Sequence, residues 1–333
     1  MKKMMTEKVK GAMLCMARQC WEVGIAAQAL METGDTGTLA LTVYDMILRQ
    51  SSDGRLCNVE NTPAVTDSAF CIPAVLFMAG MAGSREAAGR LLKRGQCKRA
   101  AERNIDFLLR DADRSKDGVL YHMRKTSEIW ADSAAFLPYS LILSGHVEEG
   151  IKQLNGIKKR LLDPESGLYY HIWDDEKRIY KRRVLWGTGN GWILTGTLRC
   201  LLEIIKSYPE NSQFTEEKEA LISDFRKQLG LMINCLTPDH LLNDVLGVTD
   251  SYKESEASAM LAYAIYRGVY SDIIDRENLE AAEKIRESLL EKIDDTGVIW
   301  DAASSPDFIT PGTSAECQAH FLMMEAARKK LNL

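Results

Sequence analysis

Apolar residues recur at intervals of three and four along most of the chain. The clearest stripes lie in residues 13–27, 151–161, 221–232 and 279–289. This spacing places the apolar side chains on one face of a helix, so each segment is predicted to be an amphipathic helix. Alternation of apolar and polar residues is rare, and only residues 168–186 predict a short β-hairpin, set within a loop. The pattern therefore predicts an all-α protein.

A weak internal repeat accompanies the helices. Four turn signals each consist of a polar residue and a glycine, with an aliphatic residue close behind. Their glycines are Gly54, Gly118, Gly167 and Gly297. Two of them continue almost alike, as DGVLYH (117–122) and SGLYYH (166–171). The long interval before the last glycine predicts a degenerate copy near residues 241–246. The repeat has a period near 55 residues, which is long enough for two helices and a loop.

Six units of that length fill the 333 residues of the chain. A single helical hairpin cannot bury its apolar face alone, so the units are expected to pack side by side. We predict a closed toroid of six helical hairpins. The alternative is an open solenoid, which needs polar capping repeats that the sequence lacks. No linker rich in Pro, Gly or Ser divides the chain, so residues 1–333 are predicted to form one domain.

The composition narrows the function classes. The 46% of hydrophobic and 27% of charged residues are ordinary for a globular protein, and the net charge of −5 argues against a nucleic-acid partner. No apolar run is long enough to cross a membrane, and charged residues interrupt the N-terminal segment, so neither a membrane partner nor a secretory signal is predicted. Eight scattered cysteines without a CxxC pair fit free thiols in a reducing cytosol, which predicts a cytoplasmic location.

Two loop segments carry aspartates. Asp67 lies between a proline-bearing loop and an apolar run, and Asp132 follows Trp130 by two residues in a mostly apolar stretch. Partial burial raises the pKa of a carboxyl group, so Asp132 suits a general acid near neutral pH. Each aspartate is also a candidate for a helix N-cap instead of a catalytic group. Asp132 would cap a helix over residues 133–143.

Two further segments are rich in aromatic residues and glycine. His171 is flanked by tyrosines and a tryptophan, which suits either a structural histidine or a surface on which a sugar ring stacks. Trp186 and Trp192 enclose three glycines and Asn190, which suits either a tight turn before a helix or a ligand contact. The dispersed histidines predict no metal site. The basic run over 177–183 is either a solvated loop or a source of cations for an acidic sugar.

Several strings, taken in order, resemble a known group of enzymes. They are WEVGIAAQAL (21–30), IWADSAAF (129–136), DPESGLYYHIWDD (163–175), LWGTGNGW (185–192) and SYKESEASAMLAYAIYRGV (251–269). Together they resemble the unsaturated glycuronyl hydrolases of glycoside hydrolase families 88 and 105, with a closer match to the unsaturated rhamnogalacturonyl hydrolases of family 105. These enzymes are six-hairpin (α/α)6 barrels, so the resemblance implies the same all-α fold.

The resemblance implies roles for the candidate residues. Asp132 matches the catalytic aspartate of the family, and Asp67 matches its second aspartate. It implies substrate contacts for five residues: Trp130, His171, Trp186, Asn190 and Trp192. One departure is that Thr188 stands where the family usually has an arginine. If the family arginine holds an anionic group of the substrate, its loss here implies a shifted substrate preference. Lys181, Arg182 and Arg183 are candidates to supply the missing positive charge.

The implied substrate is a small oligosaccharide that ends in an unsaturated uronic acid with a C4=C5 bond, with rhamnose as the preferred next sugar. Protonated Asp132 would deliver a proton to C4, with its pKa raised by a nearby ionised Asp67. Water would add at C5 and the ring would open. No metal or organic cofactor is implied. The oligomeric state stays open between monomer and homodimer.

Three other functions compete. A hydrolase of saturated glycans would use Asp67 and Asp132 as a conventional pair, and a sugar epimerase on the same toroid would use histidines. In a non-catalytic sugar-binding protein, both aspartates would only cap helices.

Overall fold

Helices dominate the computed structural model of the chain, which describes residues 2–58, 62–81, 91–209, 213–304 and 307–333. The helices of the N-terminal half are α1 (Lys2–Met16), α2 (Cys20–Thr33), α3 (Thr36–Leu48), α4 (Ile72–Met81), α5 (Arg94–Asp106), α6 (Ser133–Phe136), α7 (Pro138–Leu143) and α8 (Val147–Leu161). Those of the C-terminal half are α9 (Gly187–Ser207), α10 (Thr215–Asn234), α11 (Ser255–Tyr270), α12 (Leu279–Leu290) and α13 (Ala315–Lys330).

Short elements complete the architecture. A 3-10 turn (Asp67–Cys71) leads directly into α4, a π-helical turn (Phe107–Asp111) follows α5, and a second 3-10 turn (Arg276–Asn278) precedes α12. The strands are β1 (Glu128–Trp130), β2 (Ile172–Asp174), β3 (Ile179–Arg182), β4 (Leu242–Asn243), β5 (Lys253–Glu254), β6 (Ala302–Ala303) and β7 (Pro311–Gly312).

Six helical segments form a closed inner ring. In order around the ring they are α2, the 3-10 turn with α4, α6 with α7, α9, α11 and α13, and α13 packs back on α2. A second layer surrounds them, in which α3, α5, α8, α10 and α12 each pack on the inner segment that precedes them in the chain. Helix α1 packs on α13 and completes the sixth pair. The toroid of six hairpins is therefore confirmed, and the open solenoid is wrong because the ring closes.

Burial follows from this layering. Inner helix α11 is buried along almost its whole length, whereas outer helix α8 buries one stripe. Small residues let inner helices approach closely, since a Cβ atom added to Gly196 of α9 would lie 2.3 Å from the backbone oxygen of Ala134. In α8, acidic residues lie in the first turn and basic residues in the last, which suits the helix dipole.

The sequence repeat corresponds to the five turns that lead from an outer helix to the next inner segment. Gly54, Gly118, Gly167 and Gly297 all have positive φ, as their turns require. The degenerate fifth copy is the turn over 237–241, where His240 takes the positive φ in place of glycine. Its backbone hydrogen bonds, from the Thr237 N–H to the Leu241 oxygen and from the His240 N–H to the Thr237 oxygen, match those of the turns at 51–55, 115–119 and 294–298.

The predicted hairpin is confirmed and gains a third strand. Strands β2 and β3 pair antiparallel, and β1 adds to the other edge of β2, with Trp130 opposite Ile172. The predicted helix over 133–143 is divided in two, since α6 ends at Phe136 and Pro138 begins α7. Proline cannot donate the backbone hydrogen bond that a continuous helix needs at that point.

No described helix combines the length and apolar character that a bilayer span requires. All eight cysteines are free thiols, and six of them are buried. That residues 1–333 form one domain stays a prediction.

Candidate active site

A cavity of about 270 Å³ opens where the inner helices begin. Inner helices α2, α9, α11 and α13 each place a first- or second-turn residue in its wall: Trp21, Thr188, Glu256 and Glu316. The five repeated turns lie at the same end of the barrel, because each leads from an outer helix into the next inner segment. The residues that follow these turns therefore converge on the cavity, among them His122 and His171.

Asp132 stands at the N-cap position of α6, directly after strand β1. Its carboxylate makes no capping hydrogen bond, so the capping interpretation is wrong for the side chain. The Oδ2 atom lies instead 3.2 Å from Nε2 of His171, which the β1–β2 pairing brings alongside. Asp132 thus faces the cavity as an acceptor held by a histidine.

Arg182 fixes the protonation of that histidine. Its Nη1 atom lies 3.0 Å from Nδ1 of His171. A guanidinium group only donates, so Nδ1 must accept, and the ring proton must lie on Nε2. Burial lowers the pKa of His171, and the nearby Arg182 charge lowers it further. His171 is therefore a neutral imidazole that donates its Nε2 proton to Asp132.

Asp67 begins the 3-10 turn before α4 and is 4% exposed. Its side chain does not cap a helix, because the N-cap position belongs to Thr66. The Oδ1 atom lies 3.5 Å from Nε2 of His122 and has no hydrogen-bond partner among the described residues. Asp67 lines the same cavity as Asp132.

His122 is held from behind. Its Nδ1 atom lies 2.8 Å from Oγ1 of Thr66 and 3.0 Å from Oγ of Ser133, and its ring stacks on Trp130 with centroids 4.3 Å apart. Burial lowers its pKa to about 4, so the ring is neutral near pH 7. A neutral imidazole beside Asp67 gives that carboxyl no compensating charge.

The two aspartates have opposite protonation preferences. Burial raises the pKa of Asp67, the charge of Asp132 adds to the shift and Arg55 opposes it, and the result is a pKa of about 8. Burial also acts to raise the pKa of Asp132, but the hydrogen bond from His171 outweighs it, and the pKa falls below its usual value. The structure thus favours the opposite of the expected order, with the proton on Asp67 near neutral pH. Asp132 accepts a hydrogen bond from His171, whereas Oδ1 of Asp67 has no donor among the described residues.

Aromatic side chains form much of the remaining wall. Trp186 lies against the His171 ring at 4.3 Å and donates its Nε1 proton to Asp244 at 2.9 Å. Trp192 packs edge-on against Phe136 and lines the deeper part of the cavity. Together with Trp130 and Trp21, these rings present flat apolar faces suited to stacking on a sugar.

Asn190 is the predicted site residue that the structure does not bring to the cavity. Its side chain exchanges two hydrogen bonds with the backbone of Tyr169, at 3.0 and 2.9 Å, and donates another to the Trp186 oxygen. It therefore ties the start of α9 to the segment that carries His171, and its contact is with protein backbone.

The structure adds cavity residues beyond the predicted ones: Trp21, His122, Thr188, Glu256 and Glu316. The repeat held the signal for His122, because DGVLYH and SGLYYH end at His122 and His171, and both rings reach the cavity. Glu256 and Glu316 gave no signal, since each reads as an ordinary acidic residue in the first turn of a helix.

The cavity wall is acidic. Four carboxyl groups line it, and no lysine or arginine among the described residues does so. The basic run that begins at Lys177 points elsewhere: Lys181 bonds to Glu128, Arg183 lies over Tyr170, and Arg182 stands behind His171 and Trp186. Within the described ranges, no group of three or more His, Cys, Asp or Glu side chains is arranged to hold a metal ion.

Comparison with known proteins gives this site a context. The sequence profile of glycosyl hydrolase family 88 matches residues 90–305. The chain is 27% identical over 173 residues to the unsaturated rhamnogalacturonyl hydrolase YesR of Bacillus subtilis (strain 168), an alignment that covers 48% of this chain and 48% of that protein. The match thus spans about half the length of that curated relative.

Solved structures share the fold at low identity. A possible member of family GH105 from Klebsiella pneumoniae subsp. pneumoniae MGH 78578 has a TM-score of 0.80 at 17% identity, covering 98% of this chain and 93% of that one. The unsaturated glucuronyl hydrolase of Bacillus sp. GL1 has a TM-score of 0.64 at 14% identity, covering 92% and 83%. The (α/α)6 fold predicted for the chain is therefore confirmed.

Proposed function

This chain belongs to glycosyl hydrolase family 88, and from that premise we propose that it removes an unsaturated uronic acid from the non-reducing end of small oligosaccharides. As a member of this family it is a glycoside hydrolase, which removes the epimerase and the non-catalytic binding protein from the competing functions. The relative named for unsaturated rhamnogalacturonan supports rhamnose as the neighbouring sugar. The substrate is then the unsaturated rhamnogalacturonan disaccharide.

The observation that carries the proposal is the unequal carboxyl pair. A protonated acid and an ionised base in one cavity match a reaction in which a proton is given to one atom and taken from another. Asp67 is the group that holds a proton near pH 7, and Asp132 is the group that accepts one. This assignment reverses the roles that the resemblance implied for the two aspartates.

The reaction begins at the C4=C5 bond. Asp67 delivers its proton to C4, and positive charge develops at C5 and the ring oxygen. A water molecule adds its oxygen to C5 and gives a proton to Asp132, which His171 keeps oriented through the Nε2 hydrogen bond. The product is a hemiketal at C5, and the proton that Asp132 has gained returns to Asp67 between turnovers.

Bond cleavage follows without further help from an acid pair. The C5 hemiketal opens to a ketone, which leaves C1 as a hemiacetal that still carries the second sugar. That hemiacetal collapses to an aldehyde and releases the second sugar as an alcohol, so one water is consumed in all. Since the carboxyls act on C4 and C5, the spacing rule for conventional glycosidase pairs does not apply.

The test is an ultraviolet assay with purified protein and lyase-generated unsaturated rhamnogalacturonan disaccharide. The conjugated double bond absorbs and the ring-opened product does not, so steady loss of absorbance is expected. No loss with this disaccharide, nor with unsaturated disaccharides of other linkages, contradicts the proposal. Release of reducing sugar from saturated glycans in the same preparation would then favour the saturated-glycan hydrolase.

We also propose that the enzyme works in the cytoplasm. Free cysteines throughout the chain support this, since buried thiols persist in a reducing compartment. The substrate would then enter the cell as a small oligosaccharide. Fractionation of the native host should place the protein with cytosolic markers, and its recovery from the culture medium would contradict this location.

A further inference from the structure

One part of the cavity wall has polar atoms that the mechanism does not use. Glu256, in the first turn of α11, is 2% exposed, and its Oε1 atom has no hydrogen-bond partner among the described residues. Thr188, in the first turn of neighbouring helix α9, is also 2% exposed, and its Oγ1 atom likewise lacks a described partner. Both side chains line the cavity. A buried polar atom without a partner is costly, so it marks a place where a ligand group would bond.

Glu256 lines the cavity and is held by one of its two carboxyl oxygens. The Ser314 hydroxyl donates to Oε2 of Glu256 at 3.0 Å and itself accepts from the Cys317 N–H at 3.0 Å. His320 offers nothing to Oε1, although its Nδ1 lies 3.8 Å away, because that nitrogen donates to the Glu316 carbonyl at 2.9 Å. One carboxyl oxygen of Glu256 is thus fixed by protein and the other is left for a ligand.

The neighbouring glutamates behave differently. Both oxygens of Glu254 accept backbone N–H groups, from Ala257 and Ala303, so it is a structural cap of α11. Glu316 accepts from the Trp21 indole at 2.7 Å. Of these three glutamates, Glu256 is the one with a buried oxygen that has no partner among the described residues.

The surroundings keep Glu256 protonated. Burial raises its pKa well above the usual value, and the nearby carboxyls of Glu316, Glu254 and Asp132 raise it further, against the hydrogen bond from Ser314. His320 adds no positive charge, because burial lowers its pKa to about 3. Since Oε2 already accepts from Ser314, a proton held by Glu256 lies on Oε1, where it is available to a ligand group.

We infer that Glu256 and Thr188 form a subsite for the hydroxyl groups of an uncharged sugar, and that this subsite, which has no lining cation among the described residues, disfavours a sulfated sugar. A carboxylic acid and a hydroxyl both donate and accept, which matches sugar hydroxyls in kind. Nothing basic among the described lining residues would offset a sulfate against Asp132 and Glu316. The inference rests on the proposed function, because the sugar concerned is the one attached to the unsaturated uronate.

The test compares two unsaturated disaccharides, one carrying neutral rhamnose and one carrying a sulfated amino sugar. E256A and T188V should each raise KM for the neutral disaccharide about three- to tenfold, the value of one hydrogen bond, with little change in kcat. E256Q keeps the donor and should keep KM near that of the wild type. T188R should improve kcat/KM for the sulfated disaccharide relative to the neutral one.

The matched control is E32Q. Glu32 is another largely buried glutamate with an oxygen that has no described partner, but it lies at the far end of α2, away from the cavity. E32Q should leave KM for both disaccharides unchanged, with folding followed by thermal unfolding. An unchanged KM in E256A, or equal wild-type activity on both disaccharides, overturns the inference.

A binding measurement separates this inference from the proposed function. Four tryptophans line the cavity, so their fluorescence should change when the saturated disaccharide of galacturonic acid and rhamnose binds. If no unsaturated substrate is turned over but E256A still weakens this binding, the proposed reaction fails and the subsite stands. If turnover is seen and E256A binds the disaccharide as the wild type does, the reaction stands and the subsite fails.

Discussion

The two ends of the barrel treat buried charge in opposite ways. At the cavity end, four carboxyl groups share a wall without a lining arginine or lysine among the described residues. At the other end, Arg199 lies twelve residues, or about 18 Å, along α9 from the start of that helix. Its guanidinium lies 3.4 Å from the Glu32 carboxylate, and the Tyr263 hydroxyl donates to the same carboxylate at 2.6 Å. In the cavity wall, Asp67 and Glu256 have no lining cation among the described residues, whereas at the far end Glu32 is paired with Arg199.

The difference shows what each end does. A buried ion pair that satisfies its members holds the helices in register, and breaking it exposes a charge to a low-dielectric interior. A buried acid without a cation cannot ionise easily, so it stays available as a proton donor. The far end therefore contributes to stability, and the cavity end sacrifices stability for reactivity. Four changes, given in order of expected effect, can break or sharpen this contrast.

The largest effect is expected at the cavity end from D67N and D132N. Removing a general acid or base lowers the rate roughly 10²- to 10⁴-fold, so kcat should fall within this range in each variant. Both substitutions keep the side-chain size, so thermal unfolding should show a folded protein. Loss of less than about tenfold in D132N, a barrier change near 1.4 kcal/mol, would remove Asp132 from the mechanism.

R199M should act on stability alone. It leaves Glu32 without its cation in a largely buried place, which is expected to cost about 3–5 kcal/mol of unfolding free energy. The KM and kcat of the protein that remains folded should match the wild type, measured at a temperature well below the transition. Chemical denaturation gives the free energy, and a selective loss of kcat would mean that the two ends are not independent.

The pH dependence of stability should reveal the protonated Asp67. A carboxyl with a pKa of about 8 when folded and an ordinary pKa near 4 when unfolded keeps its proton only in the folded state over that range. Asp67 therefore favours folding at low pH, and its contribution to stability falls by about 1.4 kcal/mol per pH unit between about 4 and 8.

D67N removes that slope. Its unfolding free energy should gain on the wild type as pH rises to about 8 and then run parallel to it. The same ionisation should lower wild-type kcat/KM above pH 8. Parallel curves from pH 4 upward would show that Asp67 is ionised throughout, and the proton donor would then be Asp132.

The smallest effect is expected from R182M. Without the guanidinium on Nδ1, His171 can take a second proton and pair with Asp132 as a cation, so its pKa should rise. We expect about a tenfold loss in kcat/KM, with the acid limb of the pH–rate profile moved to higher pH. K177M is the control, since Lys177 lies on the same β-hairpin but is exposed. An unmoved acid limb would mean that Arg182 only packs against Trp186.

Periodicity and turn residues predicted the fold because these signals are local. The stripes of apolar residues, the glycines at positive φ and the hairpin at 168–186 each depend on a few neighbouring residues. The break at Pro138 was also visible in the sequence, yet the stretch was predicted to be one helix. The ring closure was predicted because similar units must bury their faces against each other and the sequence lacks the polar capping repeats of an open solenoid.

The electrostatics of the site could not be predicted in the same way. Asp132 does occupy a helix N-cap position, but where its carboxylate points depends on His171, which lies 39 residues away. The state of His171 depends in turn on Arg182, and that of Asp67 on a neutral His122. A pKa set by three or four partners from different hairpins leaves no pattern along the chain, so the sequence predicted a protonated Asp132 where the structure favours a protonated Asp67.

The contact of α13 with α2, which closes the ring, has a consequence for synthesis of the protein. The hydrogen bond from Trp21 to Glu316 joins residues 295 positions apart and lies in the cavity wall. A ribosome synthesises α13 after the other inner helices, so the nascent chain carries both aspartates long before this part of the wall exists. Loop closure over such a distance is also slow compared with formation of a single hairpin. The ability to bind sugar should therefore appear late in folding, in one step with the docking of α13 against α2.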